Sequence, residues 1–250
     1  MKIYNIIFSP TGGTLKVANI VSKELSQNIE TIDLSNINLS NSTLSGDLAI
    51  IAMPSYGGRA PKIAIDRLKK FKGNGIKTII IAVYGNRAYE DTLIEMYDEA
   101  IADGFNVIGA ISAVAEHSIV RKYAKNRPDN DDEKQLKQFA NKIKEKLNNS
   151  EETKPNIPGN RPYKIYKGIG LIPKTTKKCN KCYLCAKKCP VGAISFDDPS
   201  KIDSKKCISC MRCVSNCPKS AKNISKLIIL LAGLAIRKSC IVKKENELFL

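Results

Sequence analysis

The sequence predicts an α/β fold over residues 1–148, a three-layer sandwich around a five-stranded parallel sheet. A small α+β cysteine-rich module follows over residues 177–223. Three observations predict this. Strand and helix signals alternate through the first part. Residues 149–176 hold four prolines and three glycines without a sustained apolar period, and eight of the nine cysteines fall between Cys179 and Cys217. Alternating units of this kind point to parallel strands with helices on both faces, and the proline- and glycine-rich stretch reads as a linker. Residues 224–250 are a C-terminal tail with helical character in part.

The elements follow in order. Lys2–Phe8 is the first strand, and Leu15–Leu25 has helical spacing. Glu30–Leu34 is a short second strand. Asp47–Met53 is a continuous apolar run, as a strand buried on both faces requires. Lys62–Phe71 is helical, Lys77–Val83 is the fourth strand, Thr92–Ala102 is helical and Phe105–Ala115 is the fifth strand. Asp129–Asp132 caps a last helix running to about Leu147, with acidic residues at its positive end. Five strands and five helices are expected in the sandwich, four of the helices at the places just named.

Composition narrows the function. Hydrophobic residues make up 43% of the chain, enough for a real core, and with no Trp that core rests on Ile, Leu, Val and Ala. The N-terminus does not read as a signal peptide. The longest apolar run, Leu227–Ile236, is ten residues, against the ~20 that a membrane-spanning helix needs. The expected location is cytoplasmic, with reduced cysteines acting as ligands rather than disulfides. Charge is uneven: residues 1–150 carry 20 basic against 17 acidic residues, and residues 151–250 carry 21 against 7. A net +14 in the second part suits an acidic partner or an anionic membrane surface. Without interleaved aromatics or a known module, nucleic acid is not expected.

The cysteines form a repeat. CNKCYLCAKKCP and CISCMRCVSNCP both read C-x2-C-x2-C-x3-C-P, displaced by 28 residues. A cubane iron–sulfur cluster needs four thiolates at tetrahedral corners. Three cysteines at this spacing wrap a tight turn around three irons, and the fourth must come from elsewhere. C-x2-C pairs also suit zinc, but zinc does not call for the third step or the trailing Cys-Pro. The pattern, over about Lys177–Asn223, resembles bacterial ferredoxins with two [4Fe–4S] clusters, in which the fourth cysteine of each run serves the other cluster. The resemblance implies that Cys179, Cys182, Cys185 and Cys217 hold one cluster, and that Cys207, Cys210, Cys213 and Cys189 hold the other. Pro190 and Pro218 fix the chain direction after each crossing ligand. Cys240 lies outside the repeat and reads as a semi-buried spectator.

Three loops at the carboxyl ends of the strands carry a second signal, at the edge where open α/β sheets bind ligands. The first strand runs into Ser9, Pro10, Thr11, Gly12, Gly13 and Thr14 and straight into a helix. Its free N–H groups and positive dipole end suit a phosphate. The third strand leads to Pro54, Ser55, Tyr56, Gly57 and Gly58. The fourth leads through Tyr84 to Gly85, Asn86, Arg87, Tyr89, Glu90 and Asp91. Each of these two loops sets an aromatic beside glycine, as stacking on a flat ring requires. The loops resemble those of flavodoxins. The order of parts, over roughly Met1–Asn223, is similar to the flavodoxin–ferredoxin fusion proteins of anaerobic bacteria. That resemblance implies strand order 2-1-3-4-5 and FMN held by the loop residues just named. Flavodoxins are acidic around the flavin, whereas Arg59 and Arg87 here favour the anionic reduced form. His117, the sole histidine, follows the fifth strand and reads as a loop-end residue bonded to backbone, with proton donation near the flavin as the sharper alternative.

The sequence thus reads as an electron-transfer protein in which two [4Fe–4S] clusters and FMN exchange electrons and pass them to a redox partner protein. The alternative is an FMN-dependent oxidoreductase that reduces a small substrate such as a quinone. No dinucleotide fingerprint supports direct use of NAD(P)H. The tail Ile224–Arg237 suits a helix on the protein's own surface or in peripheral contact with a membrane.

Overall fold

A computed structural model describes residues 1–149 and 153–250. The central sheet is built from β1 (Lys2–Ile7), β2 (Asn28–Asp33), β4 (Leu48–Pro54), β6 (Lys77–Tyr84) and β7 (Asn106–Val114), all parallel, in spatial order β2-β1-β4-β6-β7. Numbered by the strands of the sheet, this is the flavodoxin-like order 2-1-3-4-5. Alternate residues of one strand serve opposite faces. In β4, Leu48, Ile50 and Ala52 join the core under α1 (Gly13–Leu25) and α4 (Asn130–Asn148). Ala49, Ile51 and Met53 join the core under α2 (Lys62–Leu68) and α3 (Thr92–Ala102). Burying each such large aliphatic side chain contributes about 1.5–3 kcal/mol.

Two expectations need correction. Among the described residues of 1–149 there are four helices, not five. The connection from β2 to β4 is rich in Ser and Asn, which favour turns over helix interiors. Its only regular element is the two-residue β3 (Ser42–Thr43). The helix expected to reach Phe71 ends at Leu68, because Phe71 enters β5 (Phe71–Lys72), which pairs with β3. At α4 the capping is as expected: the Asp129 carboxylate accepts from the N–H groups of Asp131 and Asp132.

Residues 153–173 contain no helix or strand and lie along α3. Asp91 accepts from the N–H groups of Asn160 (2.8 Å) and Lys164 (2.7 Å), Arg161 pairs with Asp98, and Ile157 packs on the core. The cysteine-rich module follows. In it, α5 (Leu184–Lys187) and α6 (Arg212–Ser215) are equivalent turns of the repeat, and β8 (Lys174–Thr175) pairs with β9 (Lys222–Asn223).

The C-terminal part returns to the first domain. After α7 (Lys226–Cys240), β10 (Glu247–Phe249) adds an antiparallel sixth strand beside β7. Asn246, only 4% exposed, ties this return to the domain. Its Oδ1 accepts from Val114 N at 2.8 Å, and its Nδ2 donates to Gln135 at 2.7 Å and Asp132 at 3.0 Å. Asp132 also holds the buried guanidinium of Arg127. An edge strand that would otherwise expose unpaired backbone is thereby covered.

Asn246→Ala leaves Val114 N–H without its partner and removes one of the two donors to Asp132 Oδ1, the other being Arg127. The expected loss is about 1–3 kcal/mol, read as a lowered urea midpoint with unchanged slope. An unchanged midpoint would show that the C-terminal strand adds nothing to stability.

Candidate functional site

The two cysteine runs fold as the same unit twice. Lys181 and Tyr183 in the first turn, and Ser209 and Met211 in the second, take left-handed backbone conformations with φ of 55–60°. These wrap each C-x2-C-x2-C loop around a central space. Among the described residues the eight thiols line two separate small cavities. Cys179, Cys182, Cys185 and Cys217 line one, and Cys189, Cys207, Cys210 and Cys213 line the other. Each cavity draws three ligands from one run and the fourth from its twin. No three acidic, His or Cys side chains among the described residues are placed to hold a single ion. Spread around a cavity, the thiols suit a polynuclear cluster.

The crossing ligands accept backbone hydrogen bonds at equivalent places, Ala193 N to Cys189 Sγ at 3.3 Å and Ala221 N to Cys217 Sγ at 3.2 Å. Such bonds to sulfur are one lever on cluster potential. The two cavities differ in burial. Desolvation, ahead of any charge effect, pushes the Cys210 thiol up to about 11 and Cys213 up to about 12. Desolvation also acts upward on Cys217, but N–H groups around it outweigh that and hold it below the usual thiol range. Cys182 is exposed.

A cleft of about 260 Å³ opens at the carboxyl edge of the sheet. The first loop contributes Thr11, Gly13 and Thr14 to its wall, the second Pro54, Ser55, Tyr56 and Gly57, and the third Gly85 and Arg87. At the entry to α1, Gly12 is the cap with φ 94° and offers no side-chain bond of its own. Ser9 lies just outside, its Oγ accepting from Leu15 N at 2.9 Å. Gly85 has no room for a side chain, since a Cβ there would sit 2.7 Å from the Cβ of His117.

Other predicted site residues lie outside the wall and hold the chain together. Asn86 Nδ2 donates to the carbonyls of Cys240 and Val242, both at 2.8 Å, and its Oδ1 accepts from Lys244 N. Tyr89 donates to Glu247 at 2.9 Å. Asp91 anchors residues 160–164, and Glu90 pairs with Arg87 and Lys164. A Cβ on Gly58 would meet the Glu90 carboxylate at 1.8 Å. Arg59 also departs from expectation. Glu95 takes its guanidinium at 2.6 and 2.7 Å, so its charge is neutralised away from the cleft.

Sequence reasoning missed the walls supplied from far along the chain. Tyr166 lies against Gly57, and Ile169 and Leu171 come from the same segment. Ala232 and Ile236 come from α7, and Ile208 and Ser209 come from between Cys207 and Cys210. His117 lines the cleft as well. Its Nδ1 accepts from the N–H groups of Ile119 (3.2 Å) and Val120 (3.1 Å), so Nε2 carries the proton. Burial first, and Arg87 second, lower its pKa and keep the ring neutral. Cys240, expected to be semi-buried, is buried against Val120 and Tyr123.

The residues suit a flavin phosphate ester on two further counts. Arg87 Nη2 is a buried donor with no partner among the described residues, an arrangement that is costly unless a ligand accepts from it. The uncapped end of α1 offers free N–H groups to an anion.

Comparison with known proteins bears on both parts. The family described as "4Fe-4S dicluster domain" matches residues 178–221. No curated protein matches the whole sequence at a significant level. Similar solved structures include flavodoxin 1 from Bacillus cereus, with 16% identity, covering 58% of this chain and 98% of that one, at a TM-score of 0.44. Another is a flavodoxin from the domain Archaea, with 13% identity, 59% and 99% coverage and a TM-score of 0.43. A third is Fusobacterium nucleatum flavodoxin bound to flavin mononucleotide, with 18% identity, 58% and 99% coverage and a TM-score of 0.41.

Removing a crossing ligand tests the cavities. Cys189→Ala and Cys207→Ala are expected to abolish the electron paramagnetic resonance signal of the same cluster and to spare the other. Loss of different signals would mean that each run encloses its own cluster. The chain joins an α/β domain of flavodoxin-like topology to a cysteine-rich module whose residues 178–221 match the family described as "4Fe-4S dicluster domain".

Proposed function

We propose that this protein is an internal electron relay, in which two [4Fe–4S] clusters exchange electrons with FMN bound at the carboxyl edge of the sheet. One observation carries the reading. Ile208 and Ser209 line both the cleft and the cavity of Cys189, Cys207, Cys210 and Cys213, so the two spaces share a wall. Tyr56 lies at the same boundary, its phenol raised by burial first and by nearby Cys210 second. FMN, when bound, supplies the exchange between one- and two-electron chemistry.

The chain's own groups have distinct tasks. Gly13 and Thr14, at the open end of α1, hold the phosphate. Tyr56 and Tyr166, which line the cleft, would hold the ring, and Arg87, whose Nη2 has no partner among the described residues, would donate to the flavin. The neutral His117 offers Nε2–H to the cleft. Cys179, Cys182, Cys185 and Cys217 hold the outer cluster, ringed by the exposed lysines Lys177, Lys178, Lys181, Lys187, Lys188 and Lys219. Those cations favour entry of electrons there from an acidic redox protein, by raising the encounter rate. A second reading, reduction of a small substrate such as a quinone, has one observation in its favour. A neighbouring space of about 670 Å³ shares Tyr56, Tyr166 and Ile208 with the cleft.

Protein purified without oxygen is expected to contain about eight irons and one FMN per chain. Thr14→Glu sets a carboxylate at the phosphate position, so flavin is expected to be lost while the iron content stays. Flavin retained in Thr14→Glu would remove this loop from the site.

Electrons delivered to the clusters are expected to reach the flavin at a rate independent of protein concentration, read by rapid mixing. A rate proportional to concentration would mean transfer between molecules and would end the relay reading. Delivery from an acidic donor protein is expected to slow as salt rises. Indifference to salt would remove the lysines from the encounter.

A further inference from the structure

Helix α7 has two unlike faces. Its inner face packs on the protein: Gly233 accepts from the Tyr123 hydroxyl at 2.7 Å, and Ala232 and Ile236 line the cleft. Its outer face is bare. Leu227, Leu230, Leu231 and Leu234 are 52–63% exposed, and Ile241 and Val242, just beyond the helix, are 62% and 68% exposed. Spacings of three and four place the leucines on one side of the helix. A contiguous apolar patch of this kind marks an interaction site.

Its chemistry selects the partner. Lys226 stands at one end of the leucine row, and Arg237, Lys238 and Lys243 stand at the other, all exposed. No acidic residue occurs from Ser225 to Lys244. A second copy of the chain laid on this face would bring like charges together at both ends. The face carries neither aromatics nor methionine, the residues that enrich protein–protein interface cores. An aliphatic strip bordered only by cations matches the acyl boundary and headgroups of an anionic bilayer. Its 15 residues reach about 22 Å as a helix, short of the ~30 Å hydrocarbon core. Among the described residues no helix is long and apolar enough to cross a membrane. The helix therefore lies in the plane of the surface.

We propose that the outer face of α7 seats this protein on anionic lipid bilayers, with the cleft held just behind the same helix. The inference rests on exposure and charge alone and does not depend on the flavin reading.

Flotation of the holoprotein with phospholipid vesicles tests it. Capture by vesicles of phosphatidylcholine with phosphatidylglycerol is expected, at least tenfold tighter than by phosphatidylcholine alone. The pair Leu231→Glu and Leu234→Glu is expected to weaken capture by about a hundredfold. Unchanged visible and circular dichroism spectra would show that the fold is kept. The pair Lys238→Glu and Lys243→Glu leaves the leucines in place and is expected to weaken capture by about tenfold or more. Failure to bind anionic vesicles would overturn the proposal. So would equal binding to both vesicle types, or capture untouched by either pair. Self-association of the wild-type chain in sedimentation velocity, lost in the leucine pair, would assign the face to a second copy instead.

Discussion

Two cavities can exchange electrons only if little stands between them, and here the intervening matter is the turn Ile208–Ser209. That turn belongs to a small module with few buried apolar residues of its own, so its position has to be imposed from outside. The contacts that impose it come from residues beside the second cavity. Arg67 donates to Pro190 O at 2.5 Å, Arg212 reaches Asp33 at 3.3 Å, and Ile208 packs against the core under α2 and α3. Arg67 is 6% exposed and also donates to Leu34 O at 2.7 Å. A guanidinium buried between two carbonyls fixes distance and angle better than a surface ion pair, which contributes little. The first cavity is left facing outward.

The chain before and after the module restrains it in the same sense. Residues 153–173 are fastened to α3 through Asp91 and Asp98, and the segment after α7 is fastened through Asn86, Asn246 and β10. Tethering at two ends removes the rotational freedom that a single linker would leave, and that freedom is the main cost of bringing two sites together. The third loop thereby serves two ends. Gly85 and Arg87 face the cleft, Asn86 and Tyr89 grip the returning C-terminal chain, and Glu90 and Asp91 hold the segment before the module.

What could be read beforehand follows from how local each feature is. The strands of the parallel sheet, the cap at Asp129 and the cysteine repeat are specified by residues a few positions apart, so period and spacing reveal them. The pairing of Cys189 with the distant run has a sequence signature in the trailing Cys-Pro. Tyr166, Ile236 and β10 have none. Each acquires its role only when remote parts of the chain meet, and three residues of strand are too short for a periodic signal. The absence of a helix from the connection between β2 and β4 is legible in its Ser and Asn content. The loop residues named for the flavin lie at the carboxyl edge of the sheet, yet adjacent side chains of a turn point different ways, so four of the six in the third loop face elsewhere.

Burial of the inner thiols carries one further consequence. Cys210 and Cys213 are half-buried beside the shared wall, and desolvation lifts them to about 11 and about 12. At neutral pH neither would ionise alone, yet iron binds the thiolate. Ligation must therefore offset the cost of burying charge, as metal binding does where a site and its fold form together. Cluster assembly and burial of the inner thiols thus depend on each other, and the outer set shares this in part, since burial also raises the Cys185 thiol. The inner cluster is the one whose loss would loosen the wall, and with it the cleft on the other side.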